Sequence, residues 1–266
     1  MKLAYYIGKK SLREDVSIRN LLEGIASSGN TVVDAGAGEA AIGDADMLLS
    51  FGGDGTFLSA AKIAWSAGIP ILGVNLGRLG FLAEAALADV APLVESGSLD
   101  TIERKMLSVK VGEAAMLAHN EVCINRIGSG AIGVDVTIDG VALPAYWGDG
   151  VLVATGAGST AYNLSVGGPI CLPSADVLVV SPIAPHNLGV RPLVIPGGSK
   201  VVLRVMSRGA DVSVNADGQS VVAPDGTSVE LEVSPKTLKC VKLEKSNFIE
   251  ALRSRFFWGQ DVRNSK

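Results

Sequence analysis

Cysteine and histidine are scarce in this chain. Among 266 residues there are three cysteines, Cys123, Cys171 and Cys240, and two histidines, His119 and His186. The cysteines are far apart, odd in number and without CxxC spacing, so they read as buried reduced thiols and not as a disulfide framework. Two histidines and three scattered thiols leave no material for a zinc centre, and no metal-ligating set is expected. No run of about 18 apolar residues exists, so no membrane-spanning helix is expected. The apolar stretch in "MKLAYYIGKK" is too short for a signal peptide. An excess of positive charge is also missing. The net charge is -4 with no basic block, which argues against nucleic acid or an anionic membrane as the main partner. A cytoplasmic location is the resulting expectation. What the chain has in quantity is apolar content, 48% against 19% charged, enough to bury the core of one large domain or two modest ones.

The periodicity divides the chain in two. In residues 1–103, "KLAYYI" (2–7), "TVVDA" (31–35), "DMLLSF" (46–51) and "IPILGV" (69–74) are short apolar runs suited to buried parallel strands. Residues 15–28, 56–67 and 87–96 carry helical spacing between or after them. That alternation predicts an α/β domain with a parallel sheet. Over 104–245 the pattern becomes strand after strand: "LSVKVG", "AHNEVCINRI", "GVDVTIDG", "GVLVAT", "DVLVVSPI", "KVVLRVMS", "DVSVNADG", "SVELEVS" and "LKCVKLE", with Gly, Pro or Asp-Gly between them. This predicts a β-rich, antiparallel, sandwich-like domain. Residues 246–266 open on a Ser-Asn capping signal. Phe248, Ile249, Leu252, Phe256 and Phe257 lie near one helical face, so a final helix is expected to pack back on the body.

Glycine motifs are abundant and of unequal weight. "GSGAIG" (128–133) matches GxGxxG, but an alternating strand pattern follows where a dinucleotide fingerprint needs a helix, so a hairpin is expected there. "GAGEAA" (36–41) and "GAGSTA" (156–161) match a looser form. No GxxxxGK[ST] exists, so a triphosphate would need backbone amides at helix N-termini and a divalent cation, expected as Mg²⁺, to balance its charge. "GGDGT" (52–56) follows the apolar run 46–51 at the end where open α/β sheets hold ligands. Gly52 and Gly53 permit unusual backbone angles and close approach, and Asp54 and Thr56 stand at the start of the next helix. Alone, this stretch reads equally as a capped tight turn or as a phosphate loop with a reactive carboxylate. Other polar stretches accompany it: "NLGRLGFL" (75–82), "HNEV" (119–122), "WGDGVLVATGAGSTAYNLSVGGP" (147–169), "SPIAPHNLGVRPLVIP" (181–196) and "NADGQ" (215–219).

This order of motifs, from about Leu48 to Gln219, resembles the NAD kinase family, and the closing "FFW" segment fits it as well. The resemblance implies phosphorylation of the 2′-hydroxyl of the adenosine ribose of NAD, an α/β domain followed by a β-rich one, and a site between the two. It implies Asp54 as general base, with Gly52, Gly53, Gly55 and Thr56 on the phosphates. Asn120 and Glu121 match the pair that contacts the dinucleotide, and Asp149 the carboxylate before the glycine-rich segment. Thr160, Ala161, Tyr162, Asn163, Leu164 and Ser165 match the segment that wraps NAD, with Tyr162 a stacking face for a base. Ala184 and Gln219 match loop positions near the ligand. The chain departs from the family in having "ATGAGSTAYN" where "TPTGSTAYS" is usual, and Trp147 where some members are basic.

A ribose hydroxyl is a poor nucleophile near neutral pH, and a carboxylate beside it can take its proton while orienting it. Asp54→Asn is therefore expected to remove most turnover with little change in folding. His186 reads as a loop-fixing hydrogen bonder, while Arg78 and Arg191 fit either a phosphate contact or a solvated turn. The implied partners are NAD and ATP, or another phosphate donor such as polyphosphate, with a homodimer or homotetramer as the assembly. Two alternatives stand beside this reading. One is a lipid kinase of the diacylglycerol or sphingosine type, which shares the GGDGT turn. The other is a non-catalytic nucleotide-binding regulator.

Overall fold

The computed structural model describes residues 1–37, 42–77, 80–244 and 246–256. "GAGEAA" from Gly38 onward, Arg78, and Phe257 with the residues after it lie outside the described residues. The chain separates into two compact units, one made of Met1–Ile102 and the chain from Lys239 onward, the other of Glu103–Leu238.

The first unit runs β1 (Lys2–Ile7), α1 (Val16–Ser27), β2 (Thr31–Asp34), β3 (Met47–Phe51), α2 (Asp54–Ala67), β4 (Ile71–Asn75), β5 (Ala85–Ala86), α3 (Leu87–Ser96) and β6 (Thr101–Arg104). The sheet order is β2-β1-β3-β4, with β5 beside β4. All of these pairs are parallel. Every residue of β3 is buried, as a central parallel strand covered on both faces requires. α1 begins where the Asp15 carboxylate accepts from the amides of Ser17 (2.9 Å) and Ile18 (3.3 Å), and it buries Ile18 and Ile25. α2 turns Phe57, Ala60, Ala61 and Ala64 inward and stops at Gly68, which adopts the left-handed conformation at φ 74°.

The second unit is built from strands. They are β7 (Leu107–Val111), β8 (Ala114–Ala118), β9 (Glu121–Arg126), β10 (Ile132–Ile138), β11 (Val141–Ala142), β12 (Tyr146–Gly148), β13 (Gly150–Thr155), β14 (Val177–Ile183), β15 (Leu193–Pro196), β16 (Val201–Met206), β17 (Val212–Ala216), β18 (Gln219–Ala223) and β19 (Ser228–Val233). A short helix, α4 (Tyr162–Ser165), follows β13. One sheet has the order β11-β10-β16-β19-β7-β8, with β12 beside β10; the other is β15-β14-β13-β9-β17-β18. The pairings within both are antiparallel. Val122, Ile124, Val151 and Val153 of one sheet share a core with Val109, Val134, Leu203 and Leu231 of the other, which makes a sandwich.

Three local expectations change. The segment "LKCV" forms β20 (Leu238–Val241) but pairs parallel with β4, Cys240 beside Ile71, between β4 and β6 of the first sheet. Four residues specify a strand without specifying its neighbour. "GSGAIG" is no hairpin, because β9 and β10 lie in different sheets and the Gly128–Ala131 turn carries the chain from one layer to the other. In α5 (Phe248–Phe256), Leu252 is buried but Ile249 faces outward. Asn247 caps this helix, accepting from the amides of Ile249 (3.0 Å) and Glu250 (3.3 Å). The helix packs on the first unit, with the Phe81 ring 5.8 Å from Phe248 and 5.4 Å from Phe256. The three cysteines are free thiols. No described helix is long and apolar enough to cross a membrane.

Candidate active site

In the first unit β3 is followed by Gly52, whose φ of 149° is one that glycine alone adopts at little cost. Gly53 is extended (φ −93°, ψ −171°), so only the first glycine of the pair uses its conformational freedom. Asp54 is then the first residue of α2. Its carboxylate is held by three consecutive amides of the loop after β4. Phe81 donates to Oδ2 at 2.8 Å, and Leu82 and Ala83 donate to Oδ1, each at 3.0 Å. Gly80 makes this possible, since a Cβ there would stand 1.8 Å from Oδ1. A carboxylate offers about four lone-pair sites. Three are taken by the described residues, and the fourth, on Oδ2, can accept a proton or a hydroxyl. Gly55 is exposed in the first turn of α2, where the helix dipole favours an anion. Thr56 donates its amide to the Gly53 carbonyl at 2.9 Å. The loop 80–83 was visible in the sequence only as a glycine turn; its three amides had no sequence signal.

The second unit repeats the device. Asp217, in the β17–β18 turn at φ 46°, accepts from the consecutive amides of His119, Asn120 (3.1 Å) and Glu121 (3.1 Å). The NADGQ turn is visible in the sequence, but nothing in it singles out this aspartate. The clamp draws the start of β9 into the interior. Asn120 Oδ1 and Glu121 Oε2 are buried there with no hydrogen-bond partner among the described residues. Buried acceptors left open are costly and await donors. Burial, then the charge of Asp217, pushes the Glu121 carboxyl up to about 8. Tyr162 opens α4 and is 37% exposed. Burial first, then the charges of Cys123, Asp149 and Glu121, raises its phenol, so these groups share one neighbourhood.

The other sequence-predicted residues fall into three groups. Thr160, Ala161 and Leu164 are partly exposed and Ser165 exposed around the same short helix. Asp149 is engaged by Arg126, through Nε at 2.5 Å and Nη2 at 3.5 Å, a pairing the sequence did not announce. Asn163 faces inward and is fully buried. Its amide donates to the Ser159 and Pro169 carbonyls and accepts from Ser181 Oγ at 2.8 Å. That side chain braces the turn. Ala184 sits exposed at φ 44° after β14, and Gln219 is exposed at the start of β18. His186 fixes its loop through its amide, which donates to the Trp147 carbonyl at 2.8 Å. Arg191 does so through its guanidinium, on the carbonyls of Leu188 and Val190. His119 is wholly buried, and desolvation lowers it to about 4. Among the described residues no group of three or more His, Cys, Asp or Glu could hold a metal ion.

Comparison with known proteins agrees across sequence and fold. The model of the ATP-NAD kinase N-terminal domain matches residues 10–97, and that of the ATP-NAD kinase C-terminal domain matches residues 119–243. An NAD kinase of Bacteroides fragilis is 39% identical over 228 residues, covering 83% of this chain and 79% of that protein. An NAD kinase of Flavobacterium psychrophilum is 36% identical over 229 residues, 82% and 78% of the two chains. The crystal structure of an NAD kinase from Archaeoglobus fulgidus in complex with ATP superposes with a TM-score of 0.79 at 28% identity, covering 96% of this chain and 99% of that one. The fold also matches yeast NADH kinase complexed with NADH, with a TM-score of 0.86 at 24% identity, over 99% and 90% of the chains.

Proposed function

The chain belongs to the ATP-NAD kinase family, and we propose that it phosphorylates the 2′-hydroxyl of the adenosine ribose of NAD, with ATP or polyphosphate as donor. The observation that carries the assignment of roles is the Asp54 carboxylate, fixed by three amides at the N-terminus of α2 with one lone pair open. The ribose oxygen attacks the terminal phosphorus of ATP. The bond from that phosphorus to the bridging oxygen breaks, the hydroxyl proton passes to Asp54 Oδ2, and NADP and ADP leave. Gly52, Gly53, Gly55 and Thr56 line the phosphates at the helix N-terminus. A divalent cation bound with the donor would neutralise phosphate charge.

Asn120 and Glu121 supply the buried acceptors for ribose hydroxyls, and Tyr162 an aromatic face for a base. Asp149, Thr160, Ala161, Leu164 and Ser165 flank them, with Ala184 and Gln219 at the margin. Asp54 beside the 2′-position also repels the dianion of the product, which favours release of NADP over NAD. The lipid kinase reading draws no support from the relatives reported. Incubation with NAD, ATP and Mg²⁺, followed by enzymatic assay of NADP, tests the proposal. NADP formation is expected; absence of NADP with every donor tried would refute it and leave a nucleotide-binding regulator.

A further inference from the structure

Arg255 stands out within the first unit. It lies in the last turn of α5, and its guanidinium carbon is 4.0 Å from the centre of the Phe81 ring. All three guanidinium nitrogens, Nε, Nη1 and Nη2, are buried and none has a hydrogen-bond partner among the described residues. Five N–H donors without an acceptor are expensive to bury, and a cation–π contact satisfies none of them. Most buried arginines are paired with a carboxylate; among the described residues this one has none.

Its surroundings say which chemistry it suits. The Phe81 ring that supports the guanidinium belongs to the residue whose amide donates to Asp54 Oδ2 at 2.8 Å. Burial lowers the guanidinium's pKa, and the negative charges of Asp54 and Glu84 act against that shift, so both carboxylates are within electrostatic reach. The N-terminus of α2, which Asp54 begins, adds the positive end of a 14-residue helix. A planar guanidinium pre-set on an aromatic ring beside a helix N-terminus presents paired donors to tetrahedral oxyanions. The chain has no lysine-bearing phosphate loop, so a positive charge for the donor has to come from elsewhere.

We propose that Arg255 is a phosphate-binding residue of the kinase site, donating to oxygens of the donor's terminal phosphates while Asp54 engages the ribose hydroxyl. This rests on the kinase reading above. It assigns a task to the C-terminal helix: α5 delivers a cation to the phosphates, and Phe81 couples that cation to the loop that orients Asp54.

The test compares wild type, Arg255→Met and Arg255→Lys, each checked for folding by circular dichroism. Met keeps the apolar stem that packs on Phe81 and removes the donors. For Arg255→Met the expected result is a fall in kcat/KM for ATP of about 10- to 100-fold, the range of a lost charge-assisted bond pair, with KM for NAD essentially unchanged. Arg255→Lys should recover part of the loss, because a point charge replaces the fork. A folded Arg255→Met with unaltered kcat/KM for ATP, or with equal losses toward ATP and NAD, overturns the proposal. A second measurement uses wild type alone: the Nε–H resonance of Arg255, assigned with the lysine variant, should shift on titration with a non-hydrolysable ATP analogue. A resonance that stays in place through saturation also overturns it. Wild type that makes no NADP at all would instead sink the kinase reading, so the two failures are distinguishable.

Discussion

Two aspartates, Asp54 and Asp217, are each clamped by three consecutive backbone amides, and the clamps do different work. At Asp54 the clamp leaves one lone pair open and aims it; at Asp217 it pulls Asn120 and Glu121 inward and leaves their oxygens open. Asp54→Asn should reduce kcat by about 10²- to 10⁴-fold with NAD affinity retained, as steady-state kinetics and equilibrium binding would establish. The three amides change the expectation of little effect on folding. An asparagine presents an NH₂ group to at least one of those donors, so the variant should also lose about 1–3 kcal/mol of stability in urea unfolding. Unchanged stability would mean that the clamp is not maintained in solution. Glu121 offers a pH test. Its folded value lies near 8 against an ordinary 4.5, so the folded state binds the proton more tightly. Its contribution to stability is complete below the ordinary value and is lost as pH rises through the folded one. Wild type should therefore lose stability relative to Glu121→Gln between about pH 5 and about pH 8.5. His119, present in both proteins, cancels from the difference. A gap independent of pH would contradict the burial described.

Among the elements, α5 is the one whose contribution exceeds its size. Nine residues long, it is anchored by the Asn247 cap, buried Leu252 and the Phe248–Phe81–Phe256 ring cluster. Asn247→Ala should cost about 1 kcal/mol, seen as faster amide hydrogen exchange in α5 and in loop 80–83 with α1 and α3 unchanged. Exchange that accelerates in α5 alone would show that Phe81 does not transmit the helix's order to the loop. The α2 N-terminus owes its accessibility to Gly53 as cap, since no side chain covers its first amides.

For the molecule as a whole, the chain path matters more than the boundaries. The first unit is discontinuous: β20 inserts between β4 and β6, and α5 covers Phe81, so the sheet is incomplete until the C-terminal segment arrives. The second unit is contiguous and has its own core. A fragment of residues 103–238 should thus show a cooperative thermal transition by circular dichroism, whereas residues 1–102 should not; a cooperative transition in the latter would show β20 to be dispensable. Element types were written in the chain, because burial on one or both faces imposes a period on the residues. The five buried positions of β3, the Asp15 and Asn247 caps, and the alternation of β16 are local facts that local sequence records. The GGDGT carboxylate was legible for the same reason, as was its company of motifs. Folding decided what contact alone can decide. That includes the strand beside which Leu238–Val241 lies, the layer change after Arg126, the inward turn of Asn163, and the meeting of Arg255 with Phe81 across more than half the chain. Partners so distant in sequence leave no periodic trace, because each is chosen by space and not by its neighbours along the backbone.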